Sequence, residues 1–223
     1  MTLICAPIME KNIKEIPKIA TEYTQRGADI LEIRIDAIKN PSKAKIKELA
    51  GNIQSPFIAT NRSSEEGGLF KGSEKERIEL LAAAAEEAEY VDIELRTKKE
   101  ELKKIIELPV KKIISYHNFH ETPTLERLSR IVKEEKRIGH IAKVAVMPNT
   151  IKDTLTILEL SSKEDDLIAI SMGELGKYTR IITPLFGSPI TYATGGKPSA
   201  PGQLEIEKTR LILKELKPKE KIV

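Results

Sequence analysis

The residue of this sequence with the most chemical promise is a lysine inside an apolar run. Lys143 stands in IAKVAV, between Ile141, Ala142, Val144, Ala145 and Val146, with no polar neighbour beside its stem. An ε-amine held out of water has a depressed pKa, and nearby cations depress it further. Such an amine is nucleophilic near neutral pH and condenses with a ketone to give an imine. The competing reading is a lysine at a strand end whose head snorkels to solvent. His117, in SYHNFHETP, stands at the end of a β-prone run and has the side chain suited to moving protons near neutrality. His120 follows three residues later. Two histidines at that spacing are a weak metal signal, because no third ligand stands close and HExxH is absent. For each, a loop imidazole satisfied by backbone is the alternative.

Charges also recur where strands are expected to be apolar. In Ile30–Asp36, Leu31, Ile33 and Ile35 share one face, and Glu32, Arg34 and Asp36 share the other. Asp92, Glu94 and Arg96 alternate with Val91, Ile93 and Leu95, and Thr60 shares a face with Arg62. One strand at a time, this reads as the solvated face of an antiparallel sheet. In a parallel sheet covered by helices that reading fails, because the outer face is already occupied. The charges then point inward, where they must be paired or open onto a cavity. Two Gly-rich stretches, RSSEEGGLFKGS and TGGKPSAPGQL, could act as lids or cradle phosphate on backbone N–H groups, although neither matches a P-loop.

The elements that must carry these residues alternate regularly. β-prone runs begin near Leu3, Ile30, Pro56, Tyr90, Lys111, His140, Leu167 and Pro189. Their mean spacing is about 27 residues, one strand-plus-helix unit. Between them, helical patterns run over 11–26, 73–88 with a Ser73 cap and Glu76, 124–138 ending at Gly139, 150–160 and 203–216. Eight such repeats without a long linker predict an α/β protein, a (β/α)8 TIM barrel near the lower size limit of that fold. A doubly wound open sheet is the alternative. Residues 1–223 read as one barrel domain, with a lysine-rich tail over 217–223 expected to fray.

Composition bounds the function. In 223 residues, 40% are hydrophobic, enough for a sizeable core. Net charge is +3, from 37 Lys and Arg against 34 Asp and Glu, too balanced to signal a nucleic-acid partner. A single cysteine, Cys5, excludes an internal disulfide framework and fits a reducing, cytoplasmic setting. The first residues do not read as a secretory signal, and no apolar run is long enough to span a membrane.

Taken in order, ILEIRID, TNRSSEEGG, SYHNFHETP, KVAVMP, ISMGELGKYTR and SAPGQ resemble the type I 3-dehydroquinate dehydratase family of the shikimate pathway, over nearly the whole chain. Each piece is short, but the ordered set is specific. The resemblance implies a (β/α)8 barrel. It also implies dehydration of 3-dehydroquinate to 3-dehydroshikimate, in aromatic amino acid biosynthesis, without metal or cofactor. By that resemblance Lys143 forms an imine with the substrate ketone, His117 moves protons and Glu66 orients His117. Arg180 grips the substrate carboxylate, Glu32, Arg34 and Arg62 hold the hydroxylated ring, and Ser199 and Gln203 belong to a loop that closes over it. Beside Lys143, Arg34 and Arg62 are expected to favour the neutral amine. The resemblance also implies a homodimer. Asn118 departs from the Asp common after the catalytic His. Two other readings remain: a class I aldolase-like barrel acting on a sugar phosphate, suggested by TGGKPS, and a non-catalytic barrel that binds a small anion.

Overall fold

In the computed structural model, residues 2–196 and 198–216 are described, so the expected frayed tail over 217–223 lies outside the described residues. Eight strands, β1 (Leu3–Ile8), β2 (Ile30–Arg34), β3 (Phe57–Thr60), β4 (Tyr90–Glu94), β5 (Lys111–Asn118), β6 (Ile141–Val146), β7 (Leu167–Ser171) and β8 (Ile190–Tyr192), lie in the order β7-β6-β5-β4-β3-β2-β1-β8. Every pairing along that order is parallel. Each new strand joins the same edge until β8 returns to β1, which curls the sheet into a nearly closed barrel with its seam between β7 and β8. The doubly wound alternative requires a reversal of strand order, and none occurs.

Helices provide the crossovers: α1 (Ile16–Gln25), α2 (Lys43–Asn52), α3 (Glu74–Ala84), α4 (Lys99–Ile106), α5 (Leu125–Ile138), α6 (Asp153–Lys163) and the short α7 (Gly173–Gly176) and α8 (Thr179–Ile182); α9 (Ile206–Leu216) follows the last strand. All eight strands begin within one residue of the expected positions. Helix starts were less legible. The first helix begins at Ile16 rather than Lys11, with Pro17 in its first turn, where a missing N–H costs nothing. Ser73 caps α3 in a full capping box with Glu76, and Thr124 caps α5.

The core has two kinds of layer. Between helices and strands lie side chains such as Ile33, Ile46, Leu81, Ile93, Leu128 and Val144. Inside the barrel, Cys5, Ile30, Ile58, Ile113, Ile141, Ile168 and Ile190 form an apolar floor. Each fully buried Ile of that floor stabilises the fold by roughly 1.5–3 kcal/mol. Later in the same strands the inward positions turn polar: Glu32, Thr60, Asp92, Ser115 and Lys143 are all buried. Period-two alternation therefore places the charges inside the barrel, at the C-terminal mouth, rather than on a solvated face. Among the described residues, no helix is long and apolar enough to cross a membrane.

Candidate active site

Lys143 projects from the middle of β6 into the barrel and is only 4% exposed, so the snorkelling alternative is excluded. Its surroundings correct one expectation. Cations were expected to crowd the amine, but its nearest charged neighbours are carboxylates. Nζ donates to Asp92 Oδ2 at 2.8 Å and lies 3.7 Å from Glu32 Oε1. It also donates to Tyr192 Oη at 2.9 Å. Asp92 stands on β4, 51 residues away in sequence, and only barrel closure brings it to the amine.

The expected arginines are present but spoken for. Arg34 grips Asp36 through two bonds of 2.8 and 2.7 Å, and Asp36 also accepts from the backbone N–H of Leu69 at 3.0 Å. Although burial opposes ionisation of Asp36, these donors hold its pKa below the usual carboxylate value. Arg62 binds Asp92 Oδ1 at 2.5 Å and Ser115 Oγ at 2.7 Å, and lies 3.2 Å from Glu94. Against the cost of burial, the Arg62 and Lys143 charges keep Asp92 ionised. Glu94 in turn takes 2.7 Å contact from Arg77 of α3, which also holds Glu74 and Thr97. The TNRSSEEGG turn is folded back over Arg62: a side chain at Gly68 would strike the Arg62 carbonyl, so the second glycine is required there.

His117, near the end of β5, pairs with Glu66 of that turn. Glu66 Oε2 is 2.8 Å from His117 Nδ1 and 2.9 Å from its backbone N–H. Burial, followed by the repulsion of Arg62 and Lys143, pushes the His117 pKa well below its ordinary value and keeps the ring neutral. Burial raises Glu66 to about 7, with Arg62 opposing and Glu94 adding to the rise. The ring of Phe119 stacks on His117 with centroids 6.5 Å apart. Register sets Ser115 beside Lys143, so His117 sits two residues farther up the neighbouring strand, on the same inward face. Asn118 turns away from the cavity, its side-chain oxygen accepting from the N–H groups of His120 and Glu121 at 2.9 and 3.2 Å. An amide oxygen serves that turn as well as a carboxylate would. His120 is exposed on the outer rim. Among the described residues, no three His, Cys, Asp or Glu side chains group to hold a metal.

Arg180, on α8, is 3% exposed. The only hydrogen bond of its guanidinium among the described residues is to the carbonyl of Pro201 at 3.2 Å, and its Nε has no partner. Burial without a carboxylate lowers its pKa to about 10, slightly offset by Tyr192. Gln203 ties the segment above it: Oε1 accepts from the backbone N–H of Ser199 at 2.8 Å, and Nε2 donates to Ser199 Oγ at 3.1 Å. One cavity of about 100 Å³ is lined by all nine expected site residues, with Phe119, Met172, Tyr192 and Pro201 among the others. A larger cleft of about 1010 Å³ opens outside the barrel around Lys11, Lys43, Leu69 and Phe70. Size favours that cleft, but it holds no buried nucleophile or base; its one buried acid, Asp36, is consumed by Arg34. The smaller cavity is therefore the candidate site. Sequence reading singled out neither Tyr192, Asp92, Glu94, Ser115 nor Arg77 as site residues. Alternation in β4 gave Asp92 and Glu94 an inward face, whereas Tyr192 read as ordinary core.

The chain is similar to known proteins over its length. The model of the type I 3-dehydroquinase family matches residues 4–220. A 3-dehydroquinate dehydratase of Methanothermobacter thermautotrophicus is 53% identical over 98% of this chain and 99% of that protein. Among solved structures, the 3-dehydroquinate dehydratase of Geobacillus kaustophilus superposes with a TM-score of 0.88 at 32% identity, covering 97% of this chain and 91% of that one. That of Aquifex aeolicus gives 0.84 at 34% identity, over 96% of this chain and 99% of that one.

Proposed function

The chain belongs to the type I 3-dehydroquinase family and is a hydro-lyase, and from that premise we propose that it eliminates water from 3-dehydroquinate through an imine on Lys143. The observation that carries this reading is Arg180, a buried guanidinium with no carboxylate partner among the described residues, in the same cavity as the buried amine and a neutral imidazole. An unpaired buried cation is costly, and a substrate carboxylate bound there through a planar, bidentate fork offsets that cost.

With the carboxylate so held, the Lys143 amine adds to the C3 ketone. The carbinolamine hydroxyl takes up a proton from solvent and leaves as water while the nitrogen lone pair forms the C=N bond, so a protonated imine remains, and the same proton is given back when the product imine is hydrolysed. That cation draws electron density from C2 and acidifies its proton. His117, with Nδ1 held by Glu66, takes the proton at Nε2. The electron pair left at C2 then forms the C1–C2 double bond as the C1 hydroxyl departs. His117 returns its proton to that oxygen, so water leaves. Hydrolysis of the product imine releases 3-dehydroshikimate and restores Lys143. Glu32, Arg34 and Arg62 fix the ring hydroxyls, and Ser199 and Gln203 close the cavity against water.

We further infer that the enzyme works in the cytoplasm as a homodimer, as a single domain. A free, buried Cys5 suits a reducing compartment, and exposed Ile151, Leu155, Leu185 and Phe186 offer an apolar contact face. Neither the aldolase nor the anion-binding alternative is favoured by any contact in the cavity. The test is direct: purified protein incubated with 3-dehydroquinate produces a conjugated enone absorbing in the ultraviolet. Absence of that product, or cleavage of a ketose phosphate instead, contradicts the reading.

A further inference from the structure

We propose that the Tyr192 hydroxyl is a further catalytic group, a proton relay between the Lys143 nitrogen and the substrate's ketone oxygen during imine formation. The proposal rests on the imine reading and adds a residue to it. Tyr192 ends β8, which follows β6 and β7 around the barrel on the far side of the seam, and its side chain reaches the amine through the interior. Its Oη accepts from Lys143 Nζ at 2.9 Å. Among the described residues the hydroxyl's own proton meets no acceptor, although the residue is 4% exposed and lines the cavity. A buried hydroxyl whose proton no protein group claims is free to turn that proton toward a substrate atom in the cavity it lines.

The position of that atom follows from the chemistry. When Nζ adds to a ketone, the carbonyl oxygen becomes bonded to the same carbon as the nitrogen. It therefore lies one bond angle from Nζ, within reach of a hydroxyl already hydrogen-bonded to Nζ. Addition forms the C–N bond and moves the carbonyl π pair onto oxygen, leaving an alkoxide beside a positively charged nitrogen. Tyr192 gives its proton to the alkoxide while its oxygen takes a proton from that nitrogen. A neutral carbinolamine results, and Tyr192 ends as it began, so protons and charge balance. The same relay run backwards serves imine hydrolysis.

The other neighbours of Nζ are less suited. Asp92 has Oδ1 filled by Arg62 and Ser115, and as an ionised carboxylate it has no proton to donate. Glu32 lies 3.7 Å away, with the same oxygen already accepting from Thr60. His117 makes no hydrogen bond to Nζ and is held at Nδ1 by Glu66. Burial, followed by the negative charge of Glu32, raises the Tyr192 pKa well above its ordinary value, so the phenol stays protonated and able to donate.

Rapid-quench borohydride trapping, with 3-dehydroquinate as the probe, reads imine formation apart from the later steps. In Tyr192→Phe, which keeps the ring, the trapping rate is expected to fall about 10²-fold, the usual scale of general acid–base help. Substrate dissociation constant and melting behaviour are expected to stay at parent values. Replacing Tyr192 with 3-fluorotyrosine, which keeps both shape and hydroxyl, moves the alkaline limb of the trapping profile to lower pH. Trapping at the parent rate in Tyr192→Phe, or a profile unmoved by fluorination, overturns the relay. Absence of any adduct in the parent protein removes the imine itself, a failure distinct from that of the relay alone.

Discussion

Glu66 and His117 divide one buried proton between them, and the pH profile should report it. Glu66, raised to about 7 by burial, must be ionised to hold the His117 ring with Nε2 free as a base. As pH falls through 7 the carboxylate takes up a proton, so kcat/KM is expected to drop on that acidic side with an apparent pKa near 7. Glu66→Gln removes that limb and lowers kcat at every pH; a limb that persists near 7 in the variant assigns it to another group. Arg180 makes a prediction with two opposite signs. Arg180→Met removes a buried charge that no carboxylate among the described residues pairs, so the free protein is expected to melt higher. The same change removes a charge-assisted grip worth about 1.5–3 kcal/mol, so KM is expected to rise about 10–10²-fold. An unchanged KM would show that the substrate carboxylate lies elsewhere.

Elements decide which side chains become buried, and here α5 makes an unusual contribution. Glu135 is fully buried, and no cation among the described residues lies within ion-pair distance of its carboxyl group. Burial raises its pKa well above the ordinary 4.5, so the folded protein keeps a proton that the unfolded chain releases. That proton stabilises the fold fully below the unfolded value, and the stabilisation is lost as pH rises through the folded one. Glu135→Gln removes the titration. Urea unfolding at pH 5 and pH 8 is expected to show the variant gaining at least about 1 kcal/mol on the parent between the two; equal slopes would mean that Glu135 ionises as if in water. Nothing in the surrounding KEEKR announced this residue, because five charges in a row read as a solvated face and its burial is set by packing on β6. Glu32, Arg34 and Arg62 were legible, since a period of two in a parallel sheet leaves charges only one direction. Arg77 and Tyr192 were not. Arg77 lies in an ordinary helical stretch and finds Glu94 only through the α3–β4 packing, and Tyr192 ends a three-residue strand too short to show a pattern. The ion pair of Lys143 was hidden for the same reason, its partner being two strands away around the barrel.

At the scale of the molecule, the barrel keeps a rigid apolar floor and places its charges above it, where closure lets five strands contribute to one cage around the amine. The covering segment is anchored from outside the barrel: Arg26 of the α1 C-cap binds both the Gly195 carbonyl and, at 2.6 Å, Glu207 of α9. Arg210 of α9 likewise holds Asp29 at 2.7 Å. The exposed apolar face on α6 and the turn 183–186 is expected to bury itself against a second copy. Sedimentation should give a particle of about 50 kDa, twice the 25.0 kDa chain. Leu155→Lys with Phe186→Lys should return it to the single-chain mass, and a wild-type protein already at that mass would contradict the dimer.

The central claim is that the substrate becomes covalently attached at Lys143. Mass spectrometry of the protein after borohydride reduction in the presence of 3-dehydroquinate tests it most directly. The expected result is one added reduced ligand per chain, mapped to the Lys143 peptide and absent in Lys143→Ala, which is inactive. Full turnover with an unmodified mass, or a Lys143→Ala protein that still converts substrate, would contradict it.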